Sequence, residues 1–301
     1  MFLARLKTAS GDRLCLVDPT DEPGAGRYLP AATLDLMLGD DLPGFLARAD
    51  WDRLVARARR TGGWAPMRQT RFLPPLGLSS RVFCVGKNYK EHAEELADVG
   101  SPHSTEAPDI FLRLPQSFTG HGTALRFPSG ESSFDFEAEL AVVIGRGGSR
   151  ITADQAPRHI FGYAPANDGS LRRLQKRTSQ FTLGKNFDRS GALGPVIAPR
   201  QYLLDAGLDP SDLGVRSRVN GRIMQDGRTS QMSFPVERLI AVLSAVTALL
   251  PGDIILTGTP KGVGAGRTPP HFLGDGDRLD VEIEGLPRLS CLVSAVKTPI
   301  L

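Results

Sequence analysis

The segment FDFEAELAVVI, residues 134–144, decides the fold because its acidic and apolar side chains alternate with the period of a β-strand. Glu137 and Glu139 are two residues apart, so they project from the same face of that strand. Two carboxylates placed in this way repel each other unless a cation or solvent lies between them. The segment therefore predicts either a strand with a solvated acidic face or one half of a metal site.

The chain on either side of this segment has the same strand-rich pattern. Short β-like runs separated by glycine and proline turns predict strands at Arg81–Val85, Asp135–Ile144, Leu213–Val219, Asp253–Leu256 and Arg278–Ile283. Apolar periodicity predicts only a few helices, at Tyr89–Val99, Thr152–Ala156, Ser170–Thr178 and Val236–Leu249. This alternation favours an α+β, β-rich core with helices at its edge over a doubly wound parallel sheet.

The first part of the chain is predicted to be a separate small module. Strands are expected at Phe2–Leu6 and Arg13–Val17, and helices at Ala31–Leu38 and Leu42–Arg60. Trp64–Ser80 is rich in proline and glycine and has no clear period, which is typical of a linker or a strap across a surface. We therefore predict a small N-terminal α+β domain over residues 1–72 and a larger domain over residues 73–301.

Composition excludes several classes of protein. The 301 residues are 41% hydrophobic and 23% charged with a net charge of +3, and no dense basic cluster suggests nucleic-acid binding. Cys15, Cys84 and Cys291 are far apart, so neither a zinc knuckle nor a disulfide framework is indicated. The first residues become polar too soon for a signal peptide, and the longest apolar stretch is about half of what spans a bilayer. We expect a cytoplasmic protein without nucleic-acid or membrane partners.

The segment FGYAPANDGS, residues 161–170, carries a third carboxylate. Asp168 could cap the helix predicted after it, since Asn-Asp-Gly-Ser is typical turn chemistry. Alternatively, Asp168 joins Glu137 and Glu139 around one cation. Three carboxylates completed by water suit Mg²⁺ or Mn²⁺, and no soft ligand is present to favour zinc.

Two further segments contain groups that could act on a substrate. His92 and Glu95 are three residues apart on a predicted helix, where a carboxylate would raise the basicity of the imidazole, as in a general base. They could equally belong to a solvated helical face. Lys185, in GKNFD (184–188), is either a surface charge or a group that stabilises an oxyanion. The glycine-rich loop that contains TGTP (257–260) lacks the P-loop spacing but could offer donors to a carboxylate.

Five segments resemble motifs of the fumarylacetoacetate hydrolase family in their residues and in their order along the chain. This family includes bacterial acylpyruvate hydrolases and 2-hydroxyhepta-2,4-diene-1,7-dioate isomerases. These segments are GKNYKEHAEE (86–95), DFEAEL (135–140), GYAPANDGSLRRLQ (162–175), GKNFD (184–188) and TGTP (257–260). The resemblance covers residue 81 to the end. It implies a mixed β-sandwich roll with metal and substrate at its open end, usually as a homodimer. The N-terminal module resembles the extra domain that many bacterial members carry.

The resemblance also implies a role for each matching position. Glu137, Glu139 and Asp168 would be the ligands of Mg²⁺ or Mn²⁺. His92 and Glu95 would activate water on a segment that closes as a lid, and Lys185 would stabilise charge on the substrate carbonyl. Gln175, Thr259 and Arg113 would orient the substrate. One departure follows Asp168, where members often read V-S-A-R-D but this chain has Gly169 to Arg173 as GSLRR.

These roles lead to a functional hypothesis with an alternative. The chain is expected to be a metal-dependent hydrolase that cleaves a C–C bond of a small β-diketo, acylpyruvate-like acid. The alternative is a decarboxylase or an enol/keto isomerase that acts on a 2-oxo diacid at the same metal site. These reactions need the same enolate as the hydrolase, but they need no attacking water. A relative that uses the pocket only for binding would be expected to lack a metal ligand or the His–Glu pair, and this chain keeps both.

Overall fold

A computed structural model describes residues 1–18, 25–68, 70–95 and 106–298. Its strands are β1 Phe2–Thr8, β2 Gly11–Val17, β3 Arg27–Pro30, β4 Ala65–Pro66, β5 Arg71–Leu73, β6 Val82–Gly86, β7 Asp109–Arg113, β8 Phe118–Thr119, β9 Leu125–Pro128, β10 Phe134–Asp135, β11 Ala138–Ile144, β12 Ile160–Asn167, β13 Ser170–Leu171, β14 Gly191–Leu193, β15 Ala198–Pro199, β16 Gly214–Val219, β17 Arg222–Arg228, β18 Ile254–Leu256, β19 Arg278–Ile283 and β20 Leu289–Val296. Its α-helices are α1 Ala31–Leu34, α2 Leu42–Leu46, α3 Trp51–Ala58, α4 Lys90–Glu95, α5 Arg172–Gln175, α6 Thr182–Lys185, α7 Arg200–Asp205 and α8 Val236–Val246.

The centre of the molecule is an eight-stranded mixed sheet. Its order is β7-β6-β18-β11-β12-β14-β8, and β15 also pairs with β12. The edge strands β7 and β8 are joined through a single short 3₁₀ turn at Pro115–Ser117, so the sheet curls until its two edges approach each other. The strand-rich α+β architecture predicted from the sequence is confirmed.

A second sheet covers one face of the central sheet. This five-stranded sheet has the order β17-β16-β19-β20-β9. Alternate residues of β11, among them Leu140 and Val142, point into the core between the two sheets and meet Val215 and Val281 there. Apolar residues of α8 close the same core. The two-residue alternation predicted for residues 134–144 therefore corresponds to the two faces of β11.

The other face of the central sheet packs against an N-terminal layer, formed by residues 1–73. Ala141 and Val143 of β11 lie in one apolar cluster with Leu14 and Leu16 of β2. The N-terminal sheet has the order β4-β3-β2-β1-β5 and is joined to the rest of the chain by a bridge between Leu3 and Ile197. The central sheet is therefore buried on both faces.

Several predicted element boundaries differ from the structure. The region Trp64–Ser80 is not a simple linker, because it contributes β4 and β5 to the N-terminal sheet. The predicted strand 135–144 is divided into β10 and β11 by a break at residues 136–137. The predicted helix Ser170–Thr178 begins with β13, which pairs with β10, so only α5 is helical.

Two further predicted helices differ from the structure. The predicted Ala31–Leu38 is reduced to α1, and the predicted Thr152–Ala156 gives way to a 3₁₀ turn at Ala156–His159. The predicted Tyr89–Val99 forms α4, and residues 96–99 lie outside the described residues. None of the helices in the described ranges is both long enough and apolar enough to cross a lipid bilayer.

Candidate active site

Three neighbouring strands bring the predicted metal ligands to one edge of the central sheet. Strand β11 pairs antiparallel with both β12 and β18, and Ala138 lies opposite Asn167. The start of β11 and the ends of β12 and β18 must therefore meet. Glu137 lies in the break before β11, Glu139 lies in β11, and Asp168 directly follows β12.

The three carboxylates form one buried cluster. Glu137, Glu139 and Asp168 each offer an oxygen atom, and these atoms all lie within 4.8 Å of one another. The backbone holds the cluster in place, because Asp168 N donates to the carbonyl of Glu137 and Glu137 N donates to the side chain of Asn167 at 2.9 Å. Asp168 therefore belongs to the glutamate cluster and is not a helix cap.

Lys185 lies against two of these carboxylates. Its Nζ atom is 2.7 Å from Glu137 Oε2 and 2.7 Å from Asp168 Oδ2. Burial disfavours the ammonium form, but Asp168 and Glu137 outweigh burial and raise the pKa of Lys185. Burial likewise disfavours ionisation of Glu137, but Lys185 and Arg172 overcome it and lower the pKa of Glu137 to about 2. Lys185 is therefore a fixed positive charge at the cluster.

Glu139 is the carboxylate that lacks such compensation. Its Oε2 atom accepts one hydrogen bond from Gly258 N at 2.8 Å. Burial, together with Asp168 and Glu137, raises the pKa of Glu139 well above its ordinary value. A divalent cation between the three residues would remove this repulsion, and an all-oxygen ligand set suits Mg²⁺ or Mn²⁺. The residues present therefore fit a divalent metal ion.

His92 and Glu95 form the pair expected from their spacing on α4. His92 Nδ1 is 3.2 Å from Glu95 Oε2, and His92 is only 4% exposed. Glu95 is fixed from the other side, because Gly262 N donates to its carboxylate at 3.0 Å. Since Nδ1 faces Glu95, Nε2 is the imidazole atom left for exchanging a proton.

Seven of the nine predicted site residues line a single cavity. These are His92, Glu137, Glu139, Asp168, Gln175, Lys185 and Thr259. Glu95 lies behind His92. The hydroxyl of Thr259 donates to Ala138 O and accepts from Gln225 Nε2. These two hydrogen bonds within the protein fix its orientation.

Arg113 does not reach this cavity. Its Nη1 atom lies 2.6 Å from Asp168 Oδ1 and its Nη2 atom donates to Ser190 Oγ at 2.7 Å. Both partners of the ion pair are almost fully buried. The structure therefore places Arg113 behind Asp168, which it holds in position, and not at the position expected for a substrate contact.

Two charged residues support the site in ways that the sequence reasoning did not assign. Arg172 lies 2.8 Å from Asp135 Oδ2 through Nε and 2.6 Å from Glu137 Oε1 through Nη2. Its Nη1 atom also donates to Gln175 Oε1 at 2.9 Å. Asp135 in turn accepts from Gly264 N at 2.7 Å. The signal was present, since Asp135 lies in the same acidic alternation as the two glutamates.

Comparison with known proteins settles the family. The family described as fumarylacetoacetate (FAA) hydrolase C-terminal matches residues 81–294. The chain belongs to the fumarylacetoacetate hydrolase family. This match covers the central sheet, the second sheet except for the last two residues of β20, and every candidate site residue.

Relatives within the fumarylacetoacetate hydrolase family differ in their reactions. The chain is 38% identical over 270 residues to oxaloacetate tautomerase YisK of Bacillus subtilis, covering 83% of this chain and 87% of that protein. It is similar to 2-hydroxyhepta-2,4-diene-1,7-dioate isomerase of Mycobacterium marinum, with a TM-score of 0.77, 33% identity and coverage of 99% and 100%. It is also similar to fumarylpyruvate hydrolase of Pseudomonas aeruginosa in complex with Mn²⁺ and pyruvate, with a TM-score of 0.64, 31% identity and coverage of 75% and 92%.

Proposed function

We propose that this chain is a divalent-metal-dependent enzyme that interconverts the keto and enol forms of a small 2-oxo diacid of the oxaloacetate class. The observation that carries the proposal is the buried cluster of Glu137, Glu139 and Asp168, with ligand oxygens within 4.8 Å of one another. Similarity to oxaloacetate tautomerase YisK over most of both chains supports this choice of reaction. Enol/keto isomerisation, which was part of the alternative expected from the sequence, is therefore proposed ahead of hydrolysis.

The residues around the cluster suit an enolate. Keto–enol interconversion removes a proton from the carbon beside the carbonyl and places negative charge on the carbonyl oxygen. A bound Mg²⁺ or Mn²⁺ would act as a Lewis acid toward that oxygen. Lys185, held as a buried ammonium by two carboxylates, would donate a hydrogen bond to the same charge. Such a donor contributes a few kcal/mol, by analogy with oxyanion sites.

His92 would carry the proton that moves. It lines the cavity, and Glu95 orients its Nδ1 atom, which leaves Nε2 facing away from that carboxylate. Glu95 stabilises the protonated imidazole that forms when the base accepts a proton. Gly262 N fixes Glu95 in turn, so the base is held in place before the substrate arrives.

Hydrolysis of a C–C bond in an acylpyruvate-like acid is the second candidate. The observation that favours it is the same His92–Glu95 pair, because a base held in this way could activate water instead of removing a carbon-bound proton. The similar fumarylpyruvate hydrolase supports this candidate. In both cases the metal site and Lys185 have the same roles.

The deciding experiment compares substrates in D₂O with Mg²⁺, with Mn²⁺ and with a chelator. For keto–enol interconversion we expect metal-dependent loss of the enol absorbance of oxaloacetate, with deuterium entering at C3 faster than without enzyme. For hydrolysis, acylpyruvates would instead yield two shorter acids, detected by NMR. Glu137→Ala should abolish the metal-dependent reaction. Full turnover of the metal-free protein, or of Glu137→Ala, would contradict the proposal.

A further inference from the structure

Gln225 is a buried polar residue that joins two walls of the cavity without lining it. It lies in β17 of the second sheet and is 0% exposed. Its Oε1 atom accepts hydrogen bonds from Ala138 N at 3.0 Å and from Ser217 Oγ at 2.9 Å. Its Nε2 atom donates to Thr259 Oγ1 and to Pro260 O, both at 2.7 Å. The amide therefore has a partner for each lone pair and each proton that it offers.

The orientation of this amide is fixed by backbone groups. Ala138 N can only donate and Pro260 O can only accept, so the amide oxygen faces the first and the amide nitrogen faces the second. The opposite orientation would set nitrogen against a donor and oxygen against an acceptor. The nitrogen must then donate to the hydroxyl of Thr259, whose own proton goes to Ala138 O at 2.8 Å. The orientation of the Thr259 hydroxyl therefore follows from that of Gln225.

The amide lies where the central sheet opens. Strand β11 pairs antiparallel with β18 as far as Ala141 opposite Leu256, and the strand pairing stops there. Continued pairing would set Ala138 opposite Thr259, with two backbone hydrogen bonds between them. Instead, the side chain of Thr259 donates to the carbonyl of Ala138, and Gln225 accepts from its N–H group. Two side chains thus replace the backbone partner that β18 no longer supplies, and they set the separation between the loop and β11.

Both segments joined in this way contribute to the candidate site. Ala138 lies between Glu137 and Glu139, which belong to the carboxylate cluster, and Thr259 lines the cavity around that cluster. Both glutamates also have hydrogen bonds that do not involve Gln225. Loss of the Gln225 amide is therefore expected to act mainly on Thr259.

We infer that Gln225 is a positioning residue, which fixes the Thr259 hydroxyl and its separation from the carboxylate cluster before a substrate binds. A side chain that is already oriented does not have to be ordered on binding, so that cost is not subtracted from the affinity. Gln225 thus acts on substrate binding through Thr259 and contacts no substrate itself. The expected effect on KM rests on the proposed 2-oxo acid substrate, whereas the effect on the orientation of Thr259 does not.

The first test is a double-mutant cycle of Gln225→Met and Thr259→Val, measured as the KM for oxaloacetate. Gln225→Met keeps the length of the side chain but removes the amide, and we expect KM to rise about 5- to 10-fold with kcat within about twofold. Thr259→Val keeps the shape but removes the hydroxyl, and KM should rise at least as much. Because Gln225 acts through Thr259, the double variant should have a KM within about twofold of that of Thr259→Val. Additive rises in KM, or no rise in Gln225→Met, would overturn the inference.

The control is Gln201→Met, the same change at an exposed glutamine of α7, which should alter neither KM nor kcat. NMR reads the orientation of Thr259 without turnover, since its methyl signal should shift in Gln225→Met and stay unchanged in Gln201→Met. If the wild type does not convert oxaloacetate but the methyl signal shifts in this way, the proposed function fails and the role of Gln225 stands.

Hydrogen exchange keeps the inference testable even if Gln225→Met does not fold. In the wild type, the side-chain amide protons of Gln225 should exchange with D₂O on the order of 100-fold more slowly than those of the exposed Gln201. Thr259→Val removes one of their two acceptors and should speed this exchange. Amide protons of Gln225 that exchange as fast as those of Gln201, or that do not respond to Thr259→Val, would refute the inferred link.

Discussion

At the scale of single residues, the site is a balance of buried charges. Asp168 is shared between Arg113 and Lys185, and Glu137 is shared between Arg172 and Lys185. Removing one partner of such a buried pair leaves an uncompensated charge, which typically costs about 3–5 kcal/mol. The arrangement pairs Asp168 and Glu137 with buried cations and leaves Glu139 as the carboxylate whose repulsion a metal ion would remove.

Glu139 gives the metal-free protein a defined pH dependence. Because the pKa of Glu139 is raised in the folded chain, its contribution to stability is fully present below about pH 4.5, the ordinary glutamate value, and is lost as the pH rises toward the raised value. Glu139→Gln removes this loss and keeps an acceptor for Gly258 N. At pH 7 without metal, we expect Glu139→Gln to melt above the wild type, since about 1 kcal/mol shifts Tm by roughly 2–4 °C in chains of 150–250 residues and by less in a longer chain.

Melting curves between pH 5 and pH 8, with a chelator and then with Mn²⁺, measure this effect. The difference between wild type and Glu139→Gln should shrink toward pH 5 and reverse in Mn²⁺, because only the wild type gains the full stabilisation from the metal. Using the difference between two proteins cancels the titrating groups that both share and that lie away from residue 139. A variant that melts below the wild type at pH 7 without metal would show that Glu139 is already compensated.

The sequence predicts pairs of site residues that lie close together in the chain, but it does not predict their partners from distant segments. Glu137 and Glu139 could be paired from the strand period alone, and His92 and Glu95 from helix spacing. The pair of Arg113 and Asp168 is 55 residues apart and depends on the curl of the central sheet, which brings the end of β7 to the residue that follows β12. No local period contains that information.

At the scale of elements, α4 is held against the loop after β18. Lys261 lies 2.8 Å from Glu91 at the exposed side, and Gly262 N donates to Glu95 at the inner side. Gly266 leaves no room on this interface, because a Cβ atom there would lie 2.1 Å from the carboxyl carbon of Glu95. The loop thus determines where the partner of His92 lies.

Gly266→Ala is expected to change the orientation of the Glu95 side chain with little change in the stability of the protein. The new methyl group would displace the flexible end of Glu95 and weaken its contact with His92, with little loss of stability because no backbone atom is among its nearest contacts. We expect the NMR signals of the His92 ring nitrogens to change and kcat to fall about tenfold, while Mn²⁺ affinity remains within twofold. Gly62→Ala adds the same methyl group where nothing lies within 4 Å and should change none of these. Unchanged His92 signals in Gly266→Ala would refute the coupling.

Element boundaries were predictable where the pattern was local. The strand at Arg278–Ile283 has the predicted bounds. The predicted helix Leu42–Arg60 is instead two helices, because Asp50 accepts a hydrogen bond from Arg53 N at 3.0 Å and so caps the start of α3. Aspartate is a common N-cap residue, so Asp50 could have indicated a helix start. The apolar periodicity on both sides of it predicted one continuous helix instead.

At the scale of the whole molecule, the first 73 residues form a layer of the fold. A boundary at residues 72 and 73 would cut β5, which pairs with β1. Trp51 of this layer packs edge to face on Phe161 of β12, with centroids 5.3 Å apart. The same apolar cluster contains Leu16 of β2 and Val143 of β11. The back of the strands that position the three clustered carboxylates is therefore covered by residues 1–73.

We therefore predict that the N-terminal layer and the sheets unfold in one transition. Both tryptophans, Trp51 and Trp64, lie in the N-terminal layer, so tryptophan fluorescence reports on that layer, whereas far-UV circular dichroism is dominated by the remaining strands. The two signals should change at the same urea concentration. Leu16→Ala should lower both midpoints together, at a cost of about 2–5 kcal/mol. Leu36→Ala, the same change at a residue 90% exposed, should move neither. Midpoints that separate, with fluorescence changing first, would establish the N-terminal layer as an independent domain.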